Sequence, residues 1–152
     1  MPAIDFSSFN VLPHLFALAM AYALALPIGW NREREERSAG IRTFPLVAVA
    51  TCGFIQATER LTADSPEAMA RIIEGLITGM GFIGGGAILR RDDSVKGTAT
   101  AASLWITGAI GVAVGVKTYD VAIMLSGLTV LTLWLLSPLR KRSATGDEIG
   151  DA

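Results

Sequence analysis

The sequence predicts an all-α integral membrane protein, a bundle of about five transmembrane helices with the N-terminus outside and the C-terminus inside. Composition is the first reason. The 152 residues are 51% hydrophobic and 18% charged, and the charges lie in short clusters between long uncharged runs. An apolar run of about 20 residues is long enough to cross a bilayer as a helix. The uneven distribution of basic residues is the second reason, because it sets the orientation.

Five apolar runs follow one another along the chain, and each is assigned to one span. They are residues 13–30, 43–58, a stretch from 65 to 91 whose apolar part is 72–89, residues 98–116 and residues 121–139. No positively charged leader precedes the first run, which is also long enough to span, so a cleaved secretory signal is not expected. We therefore treat residues 1–142 as one transmembrane domain and residues 143–152 as a disordered polar tail.

The orientation follows from the basic residues between the spans. The segments 31–42, 90–97 and 140–142 hold four, three and three basic residues, ten of the 13 in the chain. The segments on the other side hold Arg60, Arg71 and Lys117. Because short cytoplasmic loops are enriched in Lys and Arg, the sequence predicts an outside N-terminus and an inside C-terminus.

The third stretch predicts a glycine-rich membrane helix. Ser65 is the candidate N-cap and Pro66 the first helical residue. Each glycine would cost a water-exposed helix about 1 kcal/mol, whereas in a bilayer small residues let helices approach closely. A helix broken at its triple glycine, as in some transporters, is the alternative. The glycines of this run are Gly75, Gly79, Gly81, Gly84, Gly85 and Gly86.

One side of the third stretch is polar. Glu67, Arg71, Glu74 and Thr78 recur at steps of four, three and four residues, so they share one helix face, here called the polar stripe. It continues into glycine and is expected to face the bundle interior or water. Glu74 is then a candidate cation or proton site. The alternative is a structural ladder in which Arg71 neutralises Glu74.

The fourth run carries a second small and weakly polar face. We expect this face to pack on the glycines of the third span, with hydroxyl groups bonding across the two helices. Trp105 is expected to pack in the interior. The face consists of Thr100, Ser103, Thr107, Gly108, Gly111 and Gly115.

The remaining polar residues do not indicate an enzyme. Asp92 and Asp93 could meet a divalent cation, or they belong to a solvated charged loop beside basic residues. The single cysteine, Cys52, lies in an apolar run. The sequence contains no nucleophile–base pair, metal-ligand cluster or phosphate-binding loop, so neither catalysis nor a cofactor is predicted. A net charge of −1 predicts no nucleic-acid partner.

Three ordered blocks carry further information: GWNREREERSAGIRTFPLV (29–47), RIIEGLITGMGFIGGGAIL (71–89) and KGTATAASLWITGAIGVAVG (96–115). In order and spacing they resemble the MgtC/SapB family of bacterial inner-membrane proteins. The residues that match the family's pattern are Gly29, Arg32, Gly40, Arg42, Thr43, Arg71, Gly79, Gly81, Phe82, Gly84, Gly86, Gly97, Thr100, Ala101, Ala102, Trp105, Gly111 and Gly115.

The chain departs from the family's pattern at two positions. Asn31 stands where the family usually has an acid before its arginine, and Glu74 stands where many members have glutamine or a small residue. The best-known members also continue into a soluble C-terminal domain. Because this chain ends after the fifth predicted span, it resembles a member that consists of the membrane domain alone.

The resemblance implies a multi-pass protein of the bacterial inner membrane, linked to magnesium limitation, stress and virulence. The resemblance also implies, for some members of the family, inhibition of the proton-translocating ATP synthase. The first hypothesis is a non-enzymatic regulator that contacts other membrane proteins within the bilayer, with the ATP synthase and further copies of the chain as partners. The alternative is a small oligomeric permease for cations such as Mg²⁺, or for protons, that uses Glu74.

Overall fold

The computed structural model describes residues 11–35, 39–91 and 94–146, with side chains described over 11–35, 39–89 and 95–137. Five helices and one short hairpin follow in chain order. They are α1 (Val11–Arg34), α2 (Thr43–Thr62), α3 (Pro66–Gly86), β1 (Leu89–Arg91), β2 (Ser94–Lys96), α4 (Thr98–Gly115) and α5 (Tyr119–Gly146).

Helix α4 lies at the centre of the bundle, where it packs against each of the other four helices. The core that surrounds it is built from small and branched residues, such as Ala21, Ile28, Ala48 and Ile110. Helix α3 lies at the periphery and packs mainly on α4, with a smaller contact to α2. The bundle therefore has one helix that is enclosed and one that has most of its surface free of intrachain contacts.

The helices agree with a helical membrane protein. Three of them are long and apolar enough to cross a bilayer: Val11–Arg34, Thr98–Gly115 and Tyr119–Ser137. Helices α2 and α3 do not reach the same hydropathy, and α3 carries three charged residues in its first half. The helical membrane class is confirmed, while the number of spans and the orientation stay predictions.

The predicted start of the third helix is confirmed. Ser65 is extended and its side chain accepts a hydrogen bond from the backbone N–H of Ala68 at 3.2 Å, while Pro66 is the first helical residue. Proline suits this position because the first helical N–H has no partner within the helix. The helix is continuous through the triple glycine as far as Gly86, so it is not broken there.

The predicted end of the third helix is wrong. The helix ends at Gly86, and Leu89, predicted as its last apolar residue, begins a strand instead. The strands β1 and β2 pair antiparallel, with Leu89 opposite Lys96, where the sequence predicted a charged loop. Their ladder supplies partners to backbone groups that follow the helix end, which apolar composition alone does not reveal.

Helices α1, α2 and α5 extend beyond the predicted spans, which covered only the apolar residues, whereas α4 ends one residue before the end of its predicted span. Helix α1 continues to Arg34 and α2 continues to Thr62. Helix α5 continues to Gly146, so residues 143–146 are helical although they were assigned to a disordered tail. Residues 147–152 of that tail lie outside the described part of the chain. Helical backbone hydrogen bonds can continue into polar residues, so a helix can be longer than the apolar run that spans the membrane.

Candidate functional site

The first family block contains a buried arginine with two partners on its own helix end. Arg32 is 2% exposed, and its Nη2 donates to Asn31 Oδ1 at 2.7 Å and to Glu35 Oε2 at 3.1 Å. The hydroxyl of Ser137 donates to the other oxygen of Glu35 at 2.7 Å. We call Asn31, Arg32, Glu35 and Ser137 the Arg32 cluster. It fastens the end of α1 to α5 and compensates a charge that would be costly if buried alone.

The Arg32 cluster contains two residues that the sequence analysis missed. Glu35 lies three positions after Arg32, a spacing that places both side chains on one helix face, so it could have been found. Ser137 lies 102 positions from Glu35 and carries no local signal. The amide oxygen of Asn31 bonds to Arg32 at the position where the family usually has an acid.

The turn between α1 and α2 explains two of the glycines that match the family's pattern, Gly40 and Gly29. Glu33 Oε2 accepts a hydrogen bond from the backbone N–H of Ile41 at 3.1 Å. A Cβ added at Gly40 would collide with the carboxylate of Glu33. Gly29 is equally confined, since its Cβ would lie 3.0 Å from Ile41 Cα. These glycines let the chain fold back tightly, whereas Arg42 beside them is exposed.

The second and third family blocks meet between α3 and α4. A Cβ at Gly84 would lie 3.5 Å from Trp105 Cδ1 and 3.6 Å from Ala101 O. The expectation that Trp105 packs in the interior is wrong, because it is 43% exposed and lies at the edge of this contact. Gly84 is buried beneath it, while Phe82 and Ala102 are exposed.

The helix partner predicted for the fourth span is correct in part: α4 packs on α3, but two of the three glycines on its predicted face contact α2. Gly111 lies against Thr51 and Ala48, and both of these residues belong to α2 rather than α3. Gly115 also faces α2, where its Cβ would lie 2.7 Å from Ile55 Cβ. Only Gly108 faces α3, through the side chain of Met80.

The hydroxyl groups of α4 do not bond across helices as expected. Ser103 donates to Ala99 O at 2.7 Å and Thr107 donates to Ser103 O at 2.8 Å, both within α4. A serine or threonine hydroxyl in a membrane helix satisfies itself locally in this way when no partner lies opposite. Thr100 is 1% exposed and its hydroxyl oxygen has no hydrogen-bond partner in the described chain.

The polar stripe lies on the outside of the bundle, so it does not face the interior of this chain, and the other expectation, that it faces water, stays a prediction. Glu67, Arg71, Glu74 and Thr78 are all exposed. Thr78 donates to the backbone O of Glu74 at 2.9 Å. Among the described side chains, Arg71 forms no ion pair with Glu67 or Glu74, so the predicted ladder is not formed. The helix presents both signs of charge, uncompensated, on its outer face.

A cavity of about 520 Å³ lies between α2 and α3, open to one side of the bundle; we call it the α2–α3 groove. Its walls are almost entirely apolar, and they include Val47 and Phe54 of α2 and Leu76 and Ile83 of α3. Gly75 and Gly79 line it as well, and a Cβ added at either would meet no atom within 4 Å. These two glycines are therefore not used for packing within the chain.

The described residues offer no ready metal centre. In the ranges 11–35, 39–91 and 94–146, no group of three or more His, Cys, Asp or Glu side chains could hold a metal ion. Glu74 shares the outer face of α3 with one other acid, Glu67, and belongs to no such group among the described residues. Asp92 and Asp93, the other candidate cation ligands, lie outside the described residues. Cys52 is a free, buried thiol in the core.

One exposed ion pair joins the far ends of two helices. Lys117 Nζ lies 2.7 Å from Glu59 Oε1, between the end of α2 and the turn that follows α4. The hydrogen bond from Lys117 lowers the pKa of Glu59, and the same bond raises the pKa of Lys117. Both side chains are largely solvated, so the contribution of the pair to stability is small.

Comparisons with known proteins agree on one group. The pattern described as the MgtC family matches residues 18–142. The protein SrpB of Synechococcus elongatus is 35% identical over 130 residues, 78% of this chain and 71% of that protein. The protein MgtC of Salmonella typhimurium is 36% identical over 113 residues, 74% of this chain and 48% of that protein.

A further relative, the protein MgtC of Brucella abortus, is 34% identical over 122 residues, 80% of this chain and 50% of that protein. The chain thus spans about half the length of the MgtC proteins that it matches. Among solved structures, none matches the chain.

Proposed function

Because the chain belongs to the MgtC family, we propose that it is a non-enzymatic, multi-pass protein of the bacterial inner membrane that regulates other membrane proteins by direct helix contact. Its setting is adaptation to limiting magnesium, to stress or to a host. The observation that carries this proposal is the α2–α3 groove, an apolar surface that the chain builds and leaves open.

The proposal places all five helices across the membrane, with the N-terminus outside and the C-terminus inside. Helices α2 and α3 have 20 and 21 residues, about 30 Å at 1.5 Å per residue, which matches the hydrocarbon core. A reporter fused after Ala152 should read as cytoplasmic, and one inserted at Asp64, between α2 and α3, should read as extracytoplasmic. An extracytoplasmic reading after Ala152 would refute this topology.

The occupant proposed for the α2–α3 groove is a transmembrane helix of a partner protein. The groove extends along α2 from Val47 to Thr58 and along α3 from Ile72 to Ile83, about 16 Å of each helix. Gly75 and Gly79 are four residues apart on its wall, the small-xxx-small spacing that lets a second helix approach closely. In a bilayer such contacts are driven by close packing, which an open apolar groove provides.

Photocrosslinking from the groove tests this occupant. A photoreactive amino acid replaces Ala50, an exposed residue of the groove, and cells are irradiated while they grow in limiting magnesium. We expect a crosslink of fixed mass to one membrane protein, with the proton-translocating ATP synthase as the first partner to examine. The variant Gly79→Leu adds a side chain to the groove at a position where a Cβ meets no atom within 4 Å, and it should abolish this crosslink.

The matched control is Gly127→Leu on α5, since a Cβ at Gly127 also meets no atom within 4 Å. The control should retain the crosslink and the growth of cells in limiting magnesium, and Gly79→Leu should lose both. Crosslinks to lipid alone, or a protein crosslink that persists in Gly79→Leu, would contradict the proposal.

The alternative is a cation or proton permease, and the exposed position of Glu74 bears on it. Glu74 lies on the outer face of α3, away from the packed core around α4. A pathway through Glu74 would therefore have to form between copies of the chain rather than through one bundle. Flux of Mg²⁺ or protons into reconstituted liposomes that is lost in Glu74→Gln would favour the permease. Absence of flux would exclude it.

A further inference from the structure

The polar stripe of α3 is a second surface, separate from the α2–α3 groove. At 100° per residue, Gly79 lies about 140° and Ile83 about 180° around the helix from Glu74. Gly79 and Ile83 of the groove thus face away from Glu74, while Gly75 borders the stripe about 40° from Arg71. A partner seated on Gly79 and Ile83 would leave Glu74 uncovered, with Arg71 at the border of the two surfaces.

The depth of the stripe makes it unsuited to lipid. Glu74 lies about 12 Å along the helix from Pro66 and about 18 Å from Gly86, so in a spanning α3 it falls within the hydrocarbon core. Ionised side chains at that depth normally pair with an opposite charge or face protein or water. In the described structure Arg71 and Glu74 are exposed and neither has an ion-pair partner.

The spacing of the stripe fits one kind of neighbour. With Gly81 and Gly85 added, its positions recur at steps of four, three, four, three and four residues. This is the seven-residue repeat by which two parallel helices pack along a common seam. A Cβ at Gly85 meets no atom within 4 Å, and Gly81 is open up to Trp105 at 4.0 Å. The residues in the half of the seam formed by Gly81 and Gly85 are therefore small enough for a second helix to approach closely.

The seam carries charges of both signs, among them Arg71 and Glu74, so two copies of it can form ion pairs with each other. We propose that the polar stripe is the contact surface for a second copy of the chain, in a parallel two-fold dimer in which Arg71 of each copy pairs with Glu74 of the other. Copies inserted in one orientation are related by an axis along the membrane normal, so their α3 helices run parallel. Arg71 and Glu74 differ in height by about 4.5 Å, a distance that the arginine side chain bridges. This inference rests on the proposal that α3 crosses the membrane.

Reversing the charges one at a time tests the dimer. Arg71→Glu gives a stripe with acids only at positions 67, 71 and 74, and Glu74→Arg places two arginines side by side. Each variant alone should lose self-association by about tenfold or more, because position 71 of one copy and position 74 of the other then carry like charges. Co-expressed with different tags, the two variants should form a mixed dimer close to the wild-type level. In that dimer positions 71 and 74 of the unlike copies again carry opposite charges, which restores both pairs.

The mixed dimer is also the control for folding, because two misfolded variants would not associate specifically. The measurement is energy transfer between the two tags in native membranes, at several ratios of protein to lipid. Self-association of either variant at the wild-type level would overturn the proposal. A mixture that associates no better than its members, or a wild-type chain that stays monomeric at every ratio, would overturn it as well.

The outcome for the dimer is distinguishable from the outcome for the groove. Gly79→Leu should keep the dimer and lose the partner crosslink. Arg71→Glu should lose the dimer and keep the photoreactive groove residue within reach of a partner helix. Failure of α3 to cross the membrane would instead show at the Asp64 reporter, before either variant is made.

Discussion

Helices α3 and α4 are both rich in glycine, but they use it in opposite ways. On α4, Gly111 and Gly115 are closed by residues of α2, and a Cβ at either would collide with them. On α3, Gly75, Gly79 and Gly85 have no atom within 4 Å of an added Cβ. The first set of glycines assembles the bundle, and the second set leaves surface available beyond it.

Two helices of similar composition therefore have different roles: α4 holds the bundle together, and α3 offers surface for contacts outside the chain. The enclosed helix α4 cannot change without disturbing its neighbouring helices, because packed interiors tolerate little added volume. The peripheral helix α3 carries the α2–α3 groove on one side and the polar stripe on another. Substitutions on α4 should therefore impair folding, and substitutions on the open side of α3 should impair association while the chain still folds.

The largest expected effect is that of Gly111→Leu. The new side chain would collide with Thr51 and with the backbone of Ala48, which cannot move without displacing α2. Overpacking of this kind costs about 3 kcal/mol of unfolding free energy. The measurement is unfolding in mixed micelles followed by circular dichroism. Gly79→Leu should stay within about 0.5 kcal/mol of the wild type, and equal losses for the two variants would contradict the comparison.

Alanine substitutions at two other glycines should change stability in opposite directions. Gly97 has φ +96° and its Cβ would collide with the carbonyl of Ala87, so Gly97→Ala should cost about 2 kcal/mol. Gly85 is helical with open space around it, so Gly85→Ala should gain up to about 1 kcal/mol from helix propensity. The same unfolding measurement on the monomeric chain decides, and a loss at Gly85 there would show that α3 packs more tightly within the chain than described.

A smaller effect is expected from the hydrogen bond between α5 and α1. The hydroxyl of Ser126 donates to the backbone O of Leu24 at 2.7 Å, across the two helices. Ser126→Ala should therefore cost about 1 kcal/mol. Thr132→Ala is the control, because Thr132 is exposed and bonds to Leu128 O within its own helix. If both variants lose the same amount, the bond between helices contributes nothing specific.

The smallest effect is a pH dependence of the exposed pair Glu59–Lys117. The pKa of Glu59 is lowered by the hydrogen bond from Lys117, so the stabilisation is present above the ordinary carboxyl pKa and disappears as pH falls through the lowered one. The raised pKa of Lys117 extends it towards high pH, where it is lost above that pKa. Glu59→Gln should unfold slightly earlier than wild type at neutral pH. The difference should vanish in acid and shrink in high salt, and a difference that persists in acid would exclude this pair as its cause.

The sequence predicted the membrane class and the start of α3, because both depend on local composition and capping. It did not predict the hairpin after Gly86, where strand pairing replaces a charged loop. Nor could it predict the bond between Glu35 and Ser137, which depends on how α1 and α5 pack. The glycine pattern predicted that α3 packs closely against other helices, but only its packing on α4 and α2 shows which glycines of α3 remain open.

The central claim is that α3 keeps surface for contacts outside the chain. Ile83 in the α2–α3 groove and Ile123 on α5 are 47% and 55% exposed in the single chain. Each is replaced in turn by a spin-labelled cysteine, in a background where the buried Cys52 is alanine, and oxygen accessibility is measured in native membranes and in single-chain nanodiscs. We predict that position 83 is protected in native membranes and accessible in nanodiscs, while position 123 is accessible in both. Equal accessibility of the two positions in native membranes would contradict the account.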